Sequence, residues 1–241
     1  MKKQIRLCER VIAAYEENLM SSDERTRRIA EAYDEVVELF AKWTPSSQFS
    51  EIFEETVLEL VRRYSDSFGK VRVLDVGCGH GTWIKYTLEK VGNTTNLHIK
   101  GFDISKERIR LAKSILAEYP NVTLEVEDAK RYSTPERYHI ILFVEVFEHF
   151  TKPDYPVILQ KYLNLLAEKG YLVIIDKEKY SFGALKIYIK RMLGLYYRAL
   201  DFSHYPLFRY LLKISRENGS KIMDRKKVGV FRGLVLQRPS D

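Results

Sequence analysis

Residues 73–83 read VLDVGCGHGTW, in which an apolar run leads directly into three glycines within five positions. VRVLDV has the composition of a buried strand, and TWIKYTLEK that of the first turns of a helix. Gly77, Gly79 and Gly81 therefore form a strand-to-helix turn. Glycine tolerates positive φ and lets a ligand lie against bare backbone, which is typical of a nucleotide-type cradle. The G-x-G-x-G spacing, with Asp75 before it, differs from the dinucleotide fingerprint and suits a cationic ligand better than a pyrophosphate.

The rest of the chain continues this alternation of strand and helix. After the glycine turn, helical stretches separate the short apolar runs LHIKGFDI, VTLEVED, YHIILFVEV and YLVIID. Such alternation is typical of a parallel sheet covered by helices on both faces, so we predict a Rossmann-like α/β fold. SKIMDRKKVGVFRGLVLQRP predicts a closing pair of strands.

This pattern divides the chain into four predicted parts. Residues 1–68 have apolar side chains at helical spacing and are predicted to form an N-terminal helical lid. We predict a cofactor-binding α/β core over residues 69–180 and a helical cap insertion over residues 181–215. Residues 216–241 are predicted to complete the core sheet.

Composition limits the class of protein. The chain has 241 residues, 45% of them hydrophobic, which is enough for one full core with an appendage. Its two cysteines indicate neither a disulfide framework nor a cysteine zinc site. No signal-like or membrane-spanning apolar run is evident, so we expect a soluble, cytoplasmic protein. The net charge of +7 is concentrated in residues 181–241, with 13 Lys and Arg against 4 Asp and Glu.

Three acids follow successive predicted strands. Asp75 precedes the glycine turn, Asp103 ends the run GFDIS, and Asp128 lies in VEDAK. A carboxylate at the end of the second strand is well placed to accept hydrogen bonds from a ribose diol. Ligands of open α/β sheets bind at the carboxyl ends of the strands, so the three acids favour a ligand site over a purely structural turn.

The motifs LDVGCGHG, GFDIS, EDAK, FVEVFEHFTKP and AEKGYLVIID resemble the class I S-adenosylmethionine-dependent methyltransferases in order and spacing. The resemblance covers residues 70–180 well and residues 216–241 loosely. It implies a seven-stranded sheet whose last strand is antiparallel, with S-adenosylmethionine as cofactor and S-adenosylhomocysteine as product. The resemblance implies that Asp75, Gly77, Cys78 and Gly79 lie near the methionine part of the cofactor and that Asp103 binds the ribose hydroxyls. Asp128 and Ala129 would lie beside the adenine, and Val144 and Glu145 would border the sulfonium. Ile104 is a further implied cofactor contact.

Candidate catalytic residues lie in EVFEHF, just after the fourth predicted strand. The chain resembles methyltransferases with an E-x-x-E-H element, here Glu145, Glu148 and His149. A histidine suits general-base work near neutral pH, and a helix starting here would place Glu145 and His149 on one face. Two alternatives stay open: His149 caps the following helix, or the element binds a divalent ion. His204 is a further candidate base or ligand.

The acceptor is less constrained. The Asn/Asp-Pro-Pro-aromatic turn of adenine N-methyltransferases is absent from VEVFEH, and Cys78 lies in the cofactor loop, so neither of these base-methylating classes is favoured. We predict methyl transfer to a small, aromatic or lipophilic, hydroxyl-bearing acceptor. The alternative is a methyltransferase acting on RNA or another nucleic acid, docked through the basic C-terminal region. The insertion FGALKIYIKRMLGLYYRAL has two further interpretations: a cap whose aromatic side chains wall the substrate pocket, or a helix that lies on a membrane surface. A protein that binds the cofactor but has lost catalysis is also an open alternative.

Overall fold

A computed structural model describes residues 21–35, 37, 45–67, 69–92, 96–178 and 208–238. We number its elements in chain order. The helices are α1 (Ser22–Glu35), α2 (Ser47–Phe53), α3 (Glu59–Ser67), α4 (Thr82–Val91), α5 (Lys106–Ile115), α6 (Asp154–Leu163) and α7 (Phe208–Glu217). A π-helical turn (Glu54–Leu58) joins α2 to α3, and a 3-10 turn (Phe147–His149) follows the fourth strand.

The described strands form one seven-stranded sheet. They are β1 (Val71–Val76), β2 (Leu97–Asp103), β3 (Val122–Val126), β4 (Tyr138–Val144), β5 (Leu166–Lys177), β6 (Lys221–Val228) and β7 (Phe231–Gln237). Their order is β3-β2-β1-β4-β5-β7-β6, and β7 runs antiparallel to both of its neighbours. The predicted Rossmann-like, mostly parallel sheet with an antiparallel last strand is therefore confirmed.

Apolar clusters cover both faces of the sheet. On one face, α2, α3 and α4 pack with α5 against side chains of β1, β2, β4 and β5. On the other face, α6 and α7 cover the alternate side chains of the same central strands. Since side chains of a strand alternate between its faces, the apolar runs of β1 and β4 supply both clusters.

The predicted lid over residues 1–68 includes two structurally different parts. Ile52, Phe53, Val57 and Val61 are fully buried in the core, so α2 and α3 are packed on the sheet as a core layer and not as a lid. Their apolar spacing fitted a core helix as well as a lid helix, which is why the sequence did not separate them. Only α1, among the described N-terminal elements, is placed to cover a site.

Much of the cap predicted over residues 181–215 lies outside the described residues. Its described part begins at Phe208, the first residue of α7. That helix packs its apolar face on α6 and β6. Across the described parts of the chain, no helix has the length and apolarity needed to cross a membrane.

Candidate active site

A cavity of about 560 Å³ opens at the carboxyl ends of the parallel strands. This volume lies within the usual range for small-molecule and cofactor sites. Most of the residues predicted from the sequence line it: Gly77, Cys78, Asp103, Ile104, Asp128, Ala129, Val144, Glu145, Glu148 and His149. Asp75 and Gly79 do not; they lie behind the cavity wall.

The glycine turn has the backbone geometry of a cradle. Gly77 has φ of 71° and Gly79 has φ of 58°, a region that residues with a Cβ rarely adopt. A Cβ at Gly79 would overlap the guanidinium of Arg108, which lies across the turn. A Cβ at Gly77 would likewise overlap the side chain of Val146, so there is room only for glycine at both positions.

Asp103 ties the turn to the second strand. Its Oδ2 accepts the Gly79 N–H at 2.9 Å and lies 3.5 Å from an Arg108 nitrogen, while Oδ1 accepts the Ser105 N–H at 2.9 Å. A carboxylate has about four lone-pair directions, so Oδ1 retains one and the long Arg108 contact is readily exchanged. Asp103 can therefore accept a further pair of hydroxyl donors without losing its hold on the turn.

Burial sets the protonation of the groups around the turn. Asp75 is 2% exposed; desolvation, with the nearby charge of Asp103, raises its pKa to about 8. His80 lines the cavity, and desolvation, with the charge of Arg108, lowers its pKa to about 4. Its Nε2 contacts Thr82 Oγ1 at 2.7 Å, whereas its buried Nδ1 has no hydrogen-bond partner among the described residues. A neutral acid and a neutral imidazole thus flank the turn at neutral pH.

The backbone after β4 departs from the predicted helix start. Glu145 has φ of 57°, and its N–H donates to Ile175 O at 2.8 Å. The helical segment begins only at Phe147 and is a single 3-10 turn. The expectation that one helix places Glu145 and His149 on the same face is therefore wrong, because the left-handed residue at 145 breaks the run. Both side chains nonetheless line the same cavity.

His149 meets α1 across the cavity. Its Nε2 shares a hydrogen bond of 2.9 Å with the Tyr33 hydroxyl, and the two rings pack edge to face with centroids 5.5 Å apart. Glu148 is 3% exposed, and its Oε1 lies 3.7 Å from His149 Nε2. The Glu148 N–H donates to buried Asp176, which anchors the turn to the end of β5.

Helix α1 is also fastened to α5. Asp34 Oδ1 accepts the Ser105 hydroxyl and the Glu107 N–H, at the amino end of α5. A carboxylate there satisfies an otherwise unpaired donor and interacts favourably with the helix dipole. The Arg108 guanidinium lies 4.5 Å from the centre of the Tyr33 ring. Helix α1 thus forms one wall of the cavity.

Sequence reasoning missed Lys177, the last residue of β5, which lines the cavity and forms an ion pair with Glu145. Desolvation lowers its pKa to about 8. Its position at the carboxyl end of a predicted parallel strand was the signal that could have found it.

Within the described residues, no three His, Cys, Asp or Glu side chains are grouped closely enough to hold a metal ion. The alternative that the E-x-x-E-H element binds a divalent ion therefore gains no support from these residues. His204 lies outside the described residues. Burial raises the pKa of the Cys78 thiol well above its usual range, so the thiol stays neutral.

Comparison with known proteins finds relatives both in sequence and in fold. Residues 73–170 match the family described as "Methyltransferase domain". The chain is 31% identical over 102 residues to (S)-coclaurine N-methyltransferase of Thalictrum flavum subsp. glaucum, covering 42% of this chain and 27% of that protein. Over 76 residues it is 32% identical to malonyl-[acyl-carrier protein] O-methyltransferase 1 of Ilyobacter polytropus, covering 32% of this chain and 27% of that protein. The aligned part is thus about a quarter of the length of these curated relatives.

The fold extends the likeness beyond the aligned sequence. The crystal structure of magnesium protoporphyrin IX methyltransferase (ChlM) from Synechocystis PCC 6803 with bound SAH superposes with a TM-score of 0.59, covering 89% of this chain and 93% of that one at 18% identity. Residues 73–170 are therefore similar in sequence to a methyltransferase domain, and the described fold is the one that this solved methyltransferase structure has.

Proposed function

We propose that the protein is a methyltransferase that uses S-adenosylmethionine to methylate a hydroxyl group of a small acceptor. The observation that carries the proposal is the convergence, in one cavity, of the glycine turn, Asp103, Asp128 and His149. The relatives' names include N- and O-methyltransferases. They support methyl transfer, and the choice of a hydroxyl rests on His149.

The residues present fit the cofactor. The backbone of the turn at Gly77 would receive the methionine part, and the remaining lone pair of Asp103 would accept a ribose hydroxyl. Asp128 and Ala129, which line the same cavity, would border the adenine, while Val144 and Glu145 would border the sulfonium. The buried Nδ1 of His80 and Nε of Arg108 lack partners among the described residues, so both are available to polar atoms of the ligand.

S-adenosylmethionine supplies a methyl group already activated on a sulfonium, so the protein mainly positions the acceptor, excludes water and removes a proton. His149 Nε2 lies at the cavity, 2.9 Å from the Tyr33 hydroxyl. An acceptor hydroxyl that displaces the Tyr33 hydroxyl would give its proton to Nε2 as its oxygen takes the methyl, and the methyl's bond to sulfur would break to leave the thioether S-adenosylhomocysteine. Glu148, 3.7 Å from Nε2, stabilises the imidazolium that forms.

The test compares His149→Ala with the matched control His98→Ala, which alters a histidine near the start of β2, at the opposite end of the sheet. A panel of catechols, quinone precursors and lipids is first screened for release of S-adenosylhomocysteine. We expect His149→Ala to keep cofactor affinity and melting temperature while turnover falls at least about tenfold, since a positioned base contributes about 10²–10⁴-fold. His98→Ala should keep all three.

Two outcomes contradict the role of His149. Unchanged turnover means that another group removes the proton, and turnover lost together with stability favours the capping role. Glu148→Gln, which keeps the shape and removes the charge, should lower turnover less than His149→Ala and leave cofactor affinity unchanged.

The nucleic-acid alternative has one supporting observation. Helix α7 and edge strand β6 expose six basic side chains: Arg209, Lys213, Arg216, Lys221, Arg225 and Lys227. Lys213 already lies 3.6 Å from Glu217, and lysines on an edge strand also prevent sheet-to-sheet association. RNA binding that weakens steeply with added salt would support this alternative; no binding would leave the small acceptor.

A further inference from the structure

The loop that follows β3 is fastened to α6 through two of its backbone carbonyls. Tyr162 donates its hydroxyl to Ala129 O at 2.9 Å. Lys161 Nζ donates to Lys130 O at 3.0 Å and to Ala129 O at 3.3 Å. At the other end of α6, Asp154 forms an ion pair of 2.8 Å with the Lys130 side chain. The loop is therefore held along the whole length of one helix.

The peptide group that accepts hydrogen bonds from α6 also donates one to a carboxylate. Ala129 O and the Lys130 N–H belong to the same peptide group, and this N–H donates to Asp128 Oδ1 at 2.8 Å. A peptide group is planar, so fixing its carbonyl oxygen also fixes the direction of its N–H. Lys161 and Tyr162 therefore orient the Asp128 carboxylate although neither forms a hydrogen bond with it.

This orientation leaves one oxygen of Asp128 for a ligand. The side chain is half-buried and lines the cavity, and Oδ1 already accepts the Lys130 N–H. Within the described residues, Oδ2 has no hydrogen-bond partner. An ionised carboxylate accepts hydrogen bonds and donates none. Oδ2 therefore distinguishes a ligand that presents an amino group from one that presents a carbonyl oxygen.

The two donors on α6 are costly to bury and serve this one peptide. In the described part of the chain, Lys161 makes hydrogen bonds only to the two loop carbonyls and forms no ion pair. Desolvation lowers its pKa, and the charge of Asp128 acts in the opposite direction. Burial raises the pKa of Tyr162 well above its usual range, so its hydroxyl stays a donor. A lysine with no other role would extend its ammonium into water.

We propose that Lys161 and Tyr162 are positioning residues that aim Asp128 Oδ2 at the exocyclic amino group of the cofactor's adenine, and so set the preference for adenine over a base with a carbonyl oxygen there. The inference rests on the proposed function, which puts the adenine beside Asp128. No residue of α6 lines the cavity, so the helix acts on the base only through the loop.

The experiment compares, by calorimetry, the affinities of S-adenosylhomocysteine and S-inosylhomocysteine, whose base carries a carbonyl oxygen in place of the amino group. The wild type should bind S-adenosylhomocysteine at least about tenfold more tightly, because the carbonyl offers no hydrogen to the carboxylate. Lys161→Met, which removes the charge, and Tyr162→Phe, which removes only the hydroxyl, should each lower this ratio at least about threefold. The double variant should lower it furthest, and Lys161→Arg, which keeps the charge, should retain most of it.

Control variants remove the same chemical groups elsewhere. Lys113→Met removes an exposed ammonium of α5, and Tyr86→Phe removes a hydroxyl that donates to Glu54 outside the cavity. Both should keep the wild-type ratio. Asp128→Ala removes the carboxylate itself and should abolish the preference.

Two results overturn the inference and leave the proposed function intact. One is equal affinity of the wild type for the two ligands. The other is a double variant in which both affinities fall by the same factor, because a purely structural role of α6 would change them equally. Failure of S-adenosylhomocysteine to bind the wild type rejects the proposed function, and the inference with it. Melting temperatures show which variants are folded; if the double variant is not, the ratio in the single variants decides.

Discussion

Asp75→Asn should stabilise the protein at neutral pH. The carboxyl group is 2% exposed, and burial together with the charge of Asp103 raises its pKa to about 8 in the folded state. In the unfolded chain an Asp titrates near its ordinary value of about 4. Between about pH 4 and pH 8 the folded protein therefore holds a proton that unfolding releases, so wild-type stability falls as pH rises. Asparagine has nearly the same shape and no charge to lose.

The magnitude follows from the two pKa values. Each pH unit inside the window changes the free energy of unfolding by up to about 1.4 kcal/mol, so from about pH 5 to about pH 7 the wild type should lose roughly 1–3 kcal/mol relative to Asp75→Asn. Urea unfolding at several pH values measures the difference. Burial also raises the pKa of Asp176 to about 7, but Asp176 is present in both proteins, so its titration cancels from the difference. The exposed control Asp66→Asn should follow the wild type. A constant difference between wild type and Asp75→Asn, or an Asp75→Asn variant less stable at every pH, would refute the reasoning.

Two further predictions concern the walls of the cavity. Asp34→Ala removes the carboxylate that accepts hydrogen bonds from α5, so amide exchange of residues 22–35 should become at least about tenfold faster, and S-adenosylhomocysteine should slow that exchange less than in the wild type. Glu31→Ala, at an exposed position of α1, should change neither exchange rate. Equal exchange in the wild type with and without ligand would contradict the lid role. Gly79→Ala places a Cβ at positive φ and should lower the free energy of unfolding, measured with urea, by about 1 kcal/mol. Gly69→Ala, which has open space around its Cβ, should lower it less. Equal effects of the two variants would contradict a strained turn at Gly79.

Local pattern was enough to predict the sheet and most of the cavity. Parallel strands buried on both faces have continuous apolar runs, and their carboxyl ends meet at one edge, so residues at successive strand ends converge without any knowledge of packing. Asp103, Asp128 and His149, which follow successive strands, accordingly line one cavity, whereas Asp75 lies behind its wall. The glycines added the turn geometry because no other residue adopts it cheaply.

Contacts between distant segments could not be predicted. The hydrogen bond from Tyr33 to His149 joins residues 116 positions apart, and it depends on how α1 lies across the sheet. Similarly, Arg108 covers Gly79 because its side chain turns back over the glycine loop, which no spacing rule encodes. Local propensity also gives no reason for a left-handed Glu145; that conformation is fixed by β5 and the pairing with Lys177.

The most direct test of the account is calorimetric titration of S-adenosylmethionine and S-adenosylhomocysteine into the purified protein. We predict saturable binding at one site per chain. Asp103→Ala should weaken it by about 1–3 kcal/mol because a buried hydrogen-bond partner of the ribose is lost, whereas exposed Asp66→Ala should bind as the wild type does. Absence of binding to the wild-type protein, or equal affinity in Asp103→Ala, would contradict the assignment of this cavity to the cofactor.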